Sequence, residues 1–185
     1  MLRKGMTKSE IEKELAGKGD YVQIDYLTRF LKEPLSMDMK KFAYLKLADI
    51  YEKVDMLKDA AKNYESVSTF SVTFVEKIKH FMRAAELCIR AAEFDKAEES
   101  MKKAMAEANS MQRNEIYSTM KNLYKQQAET FEKNSKKIHA VKAYEKLIEM
   151  KISNPERIEL KEKLLNLYEQ LGRRKEYFLL KSREM

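Results

Sequence analysis

Any catalytic or metal-binding chemistry in this 185-residue chain would have to be built from two histidines, one cysteine and four glycines. His80 and His139 are far apart, and neither has a second His, a Cys or clustered carboxylates at helical spacing, so no tetrahedral metal site is expected. Each reads as a partly exposed helix residue. Cys88 shares an apolar helical face with Phe81, Ala84 and Ala85, the setting of a buried inert thiol and not of a nucleophile. Gly5, Gly17, Gly19 and Gly172 form no phosphate-cradling loop. No catalytic residue, no cofactor and no metal is expected, and the chain reads as a non-enzyme.

Charge is the other resource. Lysine and arginine number 37 against 30 acidic residues, a net +7. The excess is C-terminal, at +2 over residues 1–113 and +5 over residues 114–185. Acids and bases alternate even there, as in KKIHAVKAYEKLIEMK, which makes a solvated helix surface the plain reading. A nucleic-acid surface built from Lys136, Lys137, Arg173, Arg174 and Lys175 is the alternative.

The residues that must position these groups are helix formers. Hydrophobic content is 44% and charged content 36%, with only four Gly and two Pro, a composition of helices rather than of disorder. The length suits one domain. No window approaches 18 uninterrupted apolar residues and the N-terminus lacks an apolar signal core, so the reading is a cytoplasmic protein with no membrane span. A single cysteine agrees with a reducing compartment.

The clearest pattern runs from Lys41 to Val67. Tyr44, Leu47, Ala48 and Tyr51 share one helical face, Ala60, Tyr64 and Val67 share another, and the break at Asp55 between them predicts two amphipathic helices joined by a turn. With Lys41 as position 1, these are positions 4, 7, 8, 11, 20, 24 and 27. Ala48 and Ala60 are small because the two helices cross closely there. The template recurs from Ile78, Lys121 and Ile158. The second copy has Phe81, Ala84, Ala85 and Cys88, then Ala97, Met101 and Ala104. The third has Tyr124, Ala128 and Phe131, then Ala140, Tyr144 and Leu147. The fourth has Leu164, Leu165 and Tyr168, but Tyr177 replaces the expected alanine, so its second helix should pack less closely.

Position 15 is Asp55, Ala92, Ser135 and Gly172, mostly turn formers. The four origins are 37, 43 and 37 residues apart, so the helices must be long. The largest insertion, near Ala108 to Glu115, has no Pro or Gly and predicts a lengthened helix pair. Ser36 is expected to cap the first helix of the Lys41 copy, and Asn154-Pro155 to open the penultimate helix. Upstream, Thr7 and Glu10 have capping-box spacing, Gly17 and Gly19 end that helix, and Asp20 is expected to cap another, stopped by Glu33-Pro34. This pair reads as an N-terminal cap over residues 1–35, followed by hairpins over 36–74, 75–111, 112–152 and 153–185.

These positions resemble the tetratricopeptide-repeat superfamily over roughly residues 41–180. The long spacing and strings such as AVKAYEKLIEM are also similar to the irregular hairpin arrays of soluble NSF-attachment proteins. The resemblance implies an all-α, right-handed superhelix, a TPR-like α-solenoid, whose first helices line a concave groove for a peptide or a partner's helix. Its function would be that of a protein-interaction scaffold, or, on the second likeness, an adaptor of a remodelling ATPase.

On such a repeat the groove-facing residues are Phe42, Leu45, Asp49, Lys79, Met82, Glu86, Ile89, Asn122 and Lys125. The apolar members Phe42, Leu45, Met82 and Ile89 suggest a contact site, unless the N-terminal helices fold over it. Position 9 is acidic and position 13 basic in three copies (Asp49 and Lys53, Glu86 and Arg90, Glu129 and Lys133), which predicts i,i+4 pairs worth ~0.2–0.5 kcal/mol each. The clamp that some tetratricopeptide proteins use for terminal carboxylates is missing, since its positions hold Leu45, Asp49, Arg83, Asn122 and Gln126. The apolar run Tyr177 to Leu180 is expected to cap the array, with self-association through this C-terminal helix as the alternative.

Overall fold

The computed structural model describes residues 2–182. Among them the chain forms ten α-helices and no strand: α1 Lys8–Leu15, α2 Asp20–Phe30, α3 Met37–Lys53, α4 Leu57–Thr69, α5 Phe74–Arg90, α6 Phe94–Ala106, α7 Ser110–Lys133, α8 Lys137–Glu149, α9 Asn154–Gln170 and α10 Arg174–Ser182. They gather into two compact units, one running to Ile116 and one from Tyr117, with the boundary inside α7.

Helix lengths repeat because their stop and start signals repeat. α3, α5 and α9 each have 17 residues, and α4, α6 and α8 each have 13. The 17-residue helices all open on a hydroxyl cap. Ser36 accepts from the Met39 N–H at 3.3 Å, Thr73 from Glu76 at 3.2 Å and Ser153 from Glu156 at 3.4 Å, each satisfying a donor that the first turn leaves orphaned. Ser153 therefore caps α9 one residue before the expected Asn154. Pro155 then falls in the first turn, where it has no backbone bond to lose. Likewise Gly19 precedes α2 as its N-cap, and Asp20 is the first helical residue.

α7 has 24 residues, two turns more than the others, while α6 keeps its 13. The insertion thus lengthens one helix and not the expected pair. Its start is set by Asn109 and Gln112, which exchange side-chain to backbone bonds at 2.9 and 3.0 Å.

The four position-15 residues share one geometry. Asp55, Ala92, Ser135 and Gly172 are left-handed, at φ 58°, 58°, 57° and 68°. The N–H after each bonds back to position 11, Met56 to Tyr51, Glu93 to Cys88, Lys136 to Phe131 and Arg173 to Tyr168, all at 2.8 Å. Their own N–H groups bond back to Glu52, Ile89, Glu132 and Glu169 at 3.1, 3.0, 2.9 and 3.0 Å. This double closure is the Schellman arrangement, which satisfies the last carbonyls of a helix and turns the chain at once. The same turn therefore follows α3, α5, α7 and α9.

In the first unit α3 packs on α2 and α4, and α5 on α4 and α6. Leu2, Ile11, Leu15, Leu27 and Phe30 of the N-terminal segment bury against Ala43, Leu47 and Ile50 of α3, which ties residues 2–35 into this unit's core. In the second unit α9 packs on α8 and α10. The small positions are fully buried, Ala48, Ala85 and Ala128 at position 8 and Ala60, Ala97 and Ala140 at position 20. Helix α10, with Tyr177 at position 20, buries none of its residues and exposes Phe178 and Leu179 at 62% and 54%.

Candidate functional site

The groove residues expected from sequence fall into two groups. Phe42, Leu45, Asp49, Lys79, Met82, Glu86 and Ile89 lie on α3 and α5 of the first unit, whereas Asn122 and Lys125 lie on α7 in the second. Ile89 is only 1% exposed, so it packs the core and offers a ligand nothing. Phe42 packs against the N-terminal cluster, with Lys8 and Lys46 over its ring at 5.8 and 5.6 Å. The N-terminal helices thus take up one of the four apolar groove residues, and the core takes another. Leu45 and Met82 remain half-buried, flanked by exposed Asp49 and Lys79.

Around them runs a charge network that the sequence pattern missed. Arg83 of α5 donates to both carboxylate oxygens of Glu52 on α3 at 2.7 Å and to Glu86 at 2.7 Å. Arg90 donates to the same Glu52 at 2.8 Å. Burial alone would raise the Glu52 carboxyl, but the bonds from Arg90 and Arg83 outweigh it and hold the group below the usual carboxylate range. The Arg83 guanidinium is raised in turn: burial disfavours its charge, and the Glu86 and Glu52 bonds more than offset this. The expected i,i+4 pairs do not form. Lys53 reaches Asp20 at 2.7 Å, Arg90 reaches Glu52, and Glu129 lies 3.9 Å from Lys163. A bond to another helix satisfies the cation as well and also ties that helix in.

Asp49 accepts from the Tyr64 hydroxyl at 3.0 Å, and burial followed by the Asp49 charge pushes that phenol up to about 12. The Tyr64 ring stacks on His80, with centroids 6.0 Å apart. His80 is buried, not partly exposed as expected, and burial followed by the Lys41 and Lys79 charges lowers its pKa. His139 is exposed and lies against Phe131. Among the described residues no group of three His, Cys, Asp or Glu could hold a metal ion.

In the second unit Asn122 is exposed, and Lys125 lines a cavity of about 10 Å³ with Lys121, Leu147, Glu156 and Leu160, enough for a single water. Lys121 bonds Glu156 at 3.2 Å across 35 residues, as Lys41 bonds Glu76 at 2.8 Å across 35 residues. Both pairs join position 1 of one hairpin to the first turn of the next. The signal for them was a glutamate two residues before the next origin, legible once the helices are known to be neighbours. Lys136 and Lys137 at one hairpin turn, and Arg174 and Lys175 at the other, are exposed. Arg173 is committed inward, to Glu145 at 3.4 Å, to Glu176 at 2.8 Å and to the face of Tyr168 at 4.9 Å.

What these features define is an all-helical protein of closely packed neighbouring helices, with interhelical ion pairs at recurring positions. No protein-family model matches the chain, and neither the curated proteins nor the solved structures give a match. Among the described residues no helix is long and apolar enough to cross a membrane.

Proposed function

We propose that this chain is a non-enzymatic scaffold of the tetratricopeptide-like kind, a right-handed array of about four hairpins behind an N-terminal helical cap, that binds a helix or peptide of a protein partner. The observation that carries the reading is the α3–α5 face. There Leu45 and Met82 are available for apolar contact, and Asp49, Lys79 and the Glu52–Arg83–Glu86–Arg90 network set a mixed-charge frame around them. Apolar anchors supply affinity in such an arrangement, and the charges supply register and selectivity. The four identical turns support the repeat class.

A second reading has one observation in its favour. Lys137 and Arg174 occupy the same position, two residues past the left-handed turn, in α7–α8 and α9–α10, with Lys136 and Lys175 beside them, so both hairpin turns of the second unit carry an exposed basic pair. These pairs would attract an acidic partner or a nucleic acid. Self-association through Phe178 and Leu179 of α10 would show as a concentration-dependent mass.

The test is affinity capture from lysate at low and high salt, with and without nuclease, comparing wild type with Met82→Glu and with Lys136→Glu/Lys137→Glu, each first checked by circular dichroism. Proteins that survive nuclease and high salt but are lost with Met82→Glu support the α3–α5 face. Nucleic acid recovered at low salt only, lost with the lysine variant and indifferent to Met82→Glu, replaces that reading with the basic turns, because phosphate contacts weaken steeply with salt.

A further inference from the structure

Position 11 is Tyr51, Phe131 and Tyr168 in the first, third and fourth hairpins and Cys88 in the second. Tyr168 shows what an aromatic does there. It is buried on α9, and its hydroxyl donates at 2.8 Å to Glu145 on α8, the second helix of the preceding hairpin. The residue equivalent to Glu145 for Cys88 is Glu65 on α4. Cys88 is too short to reach it, and Glu65 accepts instead from the Ser100 hydroxyl at 2.7 Å and from Lys103 at 3.0 Å.

The space a ring would fill is open. A cleft of about 320 Å³ lies between α4 and α6 with Ala61, Glu65 and Cys88 among its lining residues, and Lys62, Glu93, Lys96 and Glu99 around them. A cavity of roughly 150 Å³ already accepts benzene, so the volume is ample for a phenol. Cys88 is 5% exposed, and burial followed by the Glu65 charge pushes its thiol up to about 11, so the cleft presents it as a small apolar surface and not as a nucleophile. Among the described residues Lys62 and Glu99 make no ion pair, leaving a donor and an acceptor for the main chain that would carry the ring.

We infer that this cleft is a binding site for a phenolic ring, the tyrosine side chain of another polypeptide, seated over Cys88 with its hydroxyl donating to Glu65 as Tyr168 donates to Glu145. The proposal uses none of the α3–α5 face residues and its assay needs no native partner, so it stands or falls apart from the proposed scaffold function.

The experiment is a titration of the full chain, followed by amide NMR, with N-acetyltyrosinamide, N-acetylphenylalaninamide and p-cresol. Saturable shifts centred on Ala61, Glu65, Cys88 and Glu99 are expected, with a Kd on the order of 1 mM for so small a ligand. The tyrosine amide should bind about tenfold tighter than the phenylalanine amide, the worth of one hydrogen bond to a charged acceptor. Cys88→Tyr should abolish the shifts by filling the cleft, and Glu65→Leu should erase the preference for tyrosine over phenylalanine. Shifts absent, centred elsewhere or retained in Cys88→Tyr would overturn the site. So would a Cys88→Tyr chain that fails to fold where Cys88→Ala folds, because the ring then does not fit. Binding of p-cresol as tight as that of the tyrosine amide would overturn the polypeptide source in favour of a free phenol.

Discussion

Replacing Ala92 with glycine should stabilise the first unit. Ala92 closes α5 at φ 58°, a left-handed conformation that brings a Cβ too near the following carbonyl, at a cost of ~1–2 kcal/mol. Glycine removes that strain but gives the unfolded chain more freedom, worth ~0.4–1 kcal/mol, so the net gain should be about 0.5–1 kcal/mol. The reverse change tests the same reasoning in the second unit. Gly172 sits at φ 68°, and a Cβ built there meets nothing within 4 Å, so Gly172→Ala isolates backbone strain from steric contact and should lose about as much as Ala92→Gly gains. The assay is urea unfolding followed by far-ultraviolet circular dichroism. At a slope of ~2 kcal/mol/M, each change should move the midpoint of its transition by about 0.3–0.5 M, upward for Ala92→Gly and downward for Gly172→Ala. Ser135→Gly should raise it as well, and Asp55→Gly by less, since aspartate tolerates the left-handed region better. A lower midpoint for Ala92→Gly, or an unchanged one for Gly172→Ala, would refute the idea that one shared Schellman turn sets the end of each first helix.

Two further outcomes follow from the caps and the buried imidazole. His80 is lowered from its usual 6.5 by burial and by Lys41 and Lys79, with the Glu76 carboxylate opposing them and the Tyr64 ring against it. Below pH 6.5 the unfolded chain therefore binds the proton first, and folding stability falls with pH. His80→Phe keeps a ring against Tyr64 and should flatten that part of a stability–pH curve measured by urea titration; an unchanged slope would show that His80 is not the group responsible. Glu156 is lowered from 4.5 to about 2 by the Ser153 N–H and hydroxyl and by Lys121, so it contributes stability above pH 4.5 that is lost as pH falls toward 2. Ser153→Ala should cost about 1 kcal/mol at neutral pH through loss of the cap and should weaken this acid dependence, both readable by thermal unfolding between pH 2 and 7.

Periodicity and turn chemistry made the helices legible. Alanine at positions 8 and 20 of three copies, with Asp55, Ala92, Ser135 and Gly172 at position 15, located the turns between helices; that these four residues are left-handed came from the backbone geometry. Such turns are set by contacts within a few residues, so a linear pattern records their place. Ser36 was read as a cap on the same ground. Asn154 was misread by one position because Ser153, Asn154 and Pro155 are all helix openers, and only backbone geometry chose among them. The length of α7 was ambiguous for a similar reason, since a Gly- and Pro-free insertion can extend the helix on either side of a loop.

Partnership between helices was decided by the tertiary structure alone. Arg90 has a favourable acid one turn away in Glu86, yet it bonds Glu52, thirty-eight residues distant, because packing α5 beside α4 and α3 brings that carboxylate within 2.8 Å. Phe42 and Ile89 looked like groove residues by register. The N-terminal cluster packs against one and the core takes the other. Cys88 was read as a buried inert thiol; that its small size leaves a cleft, and that Glu65 lies at the position where Glu145 meets Tyr168, became visible only when α4 and α6 were set on either side of it. Local preferences fix where a helix begins and ends, whereas which side chains meet across helices depends on how the faces stack, and no single stretch of sequence carries that information.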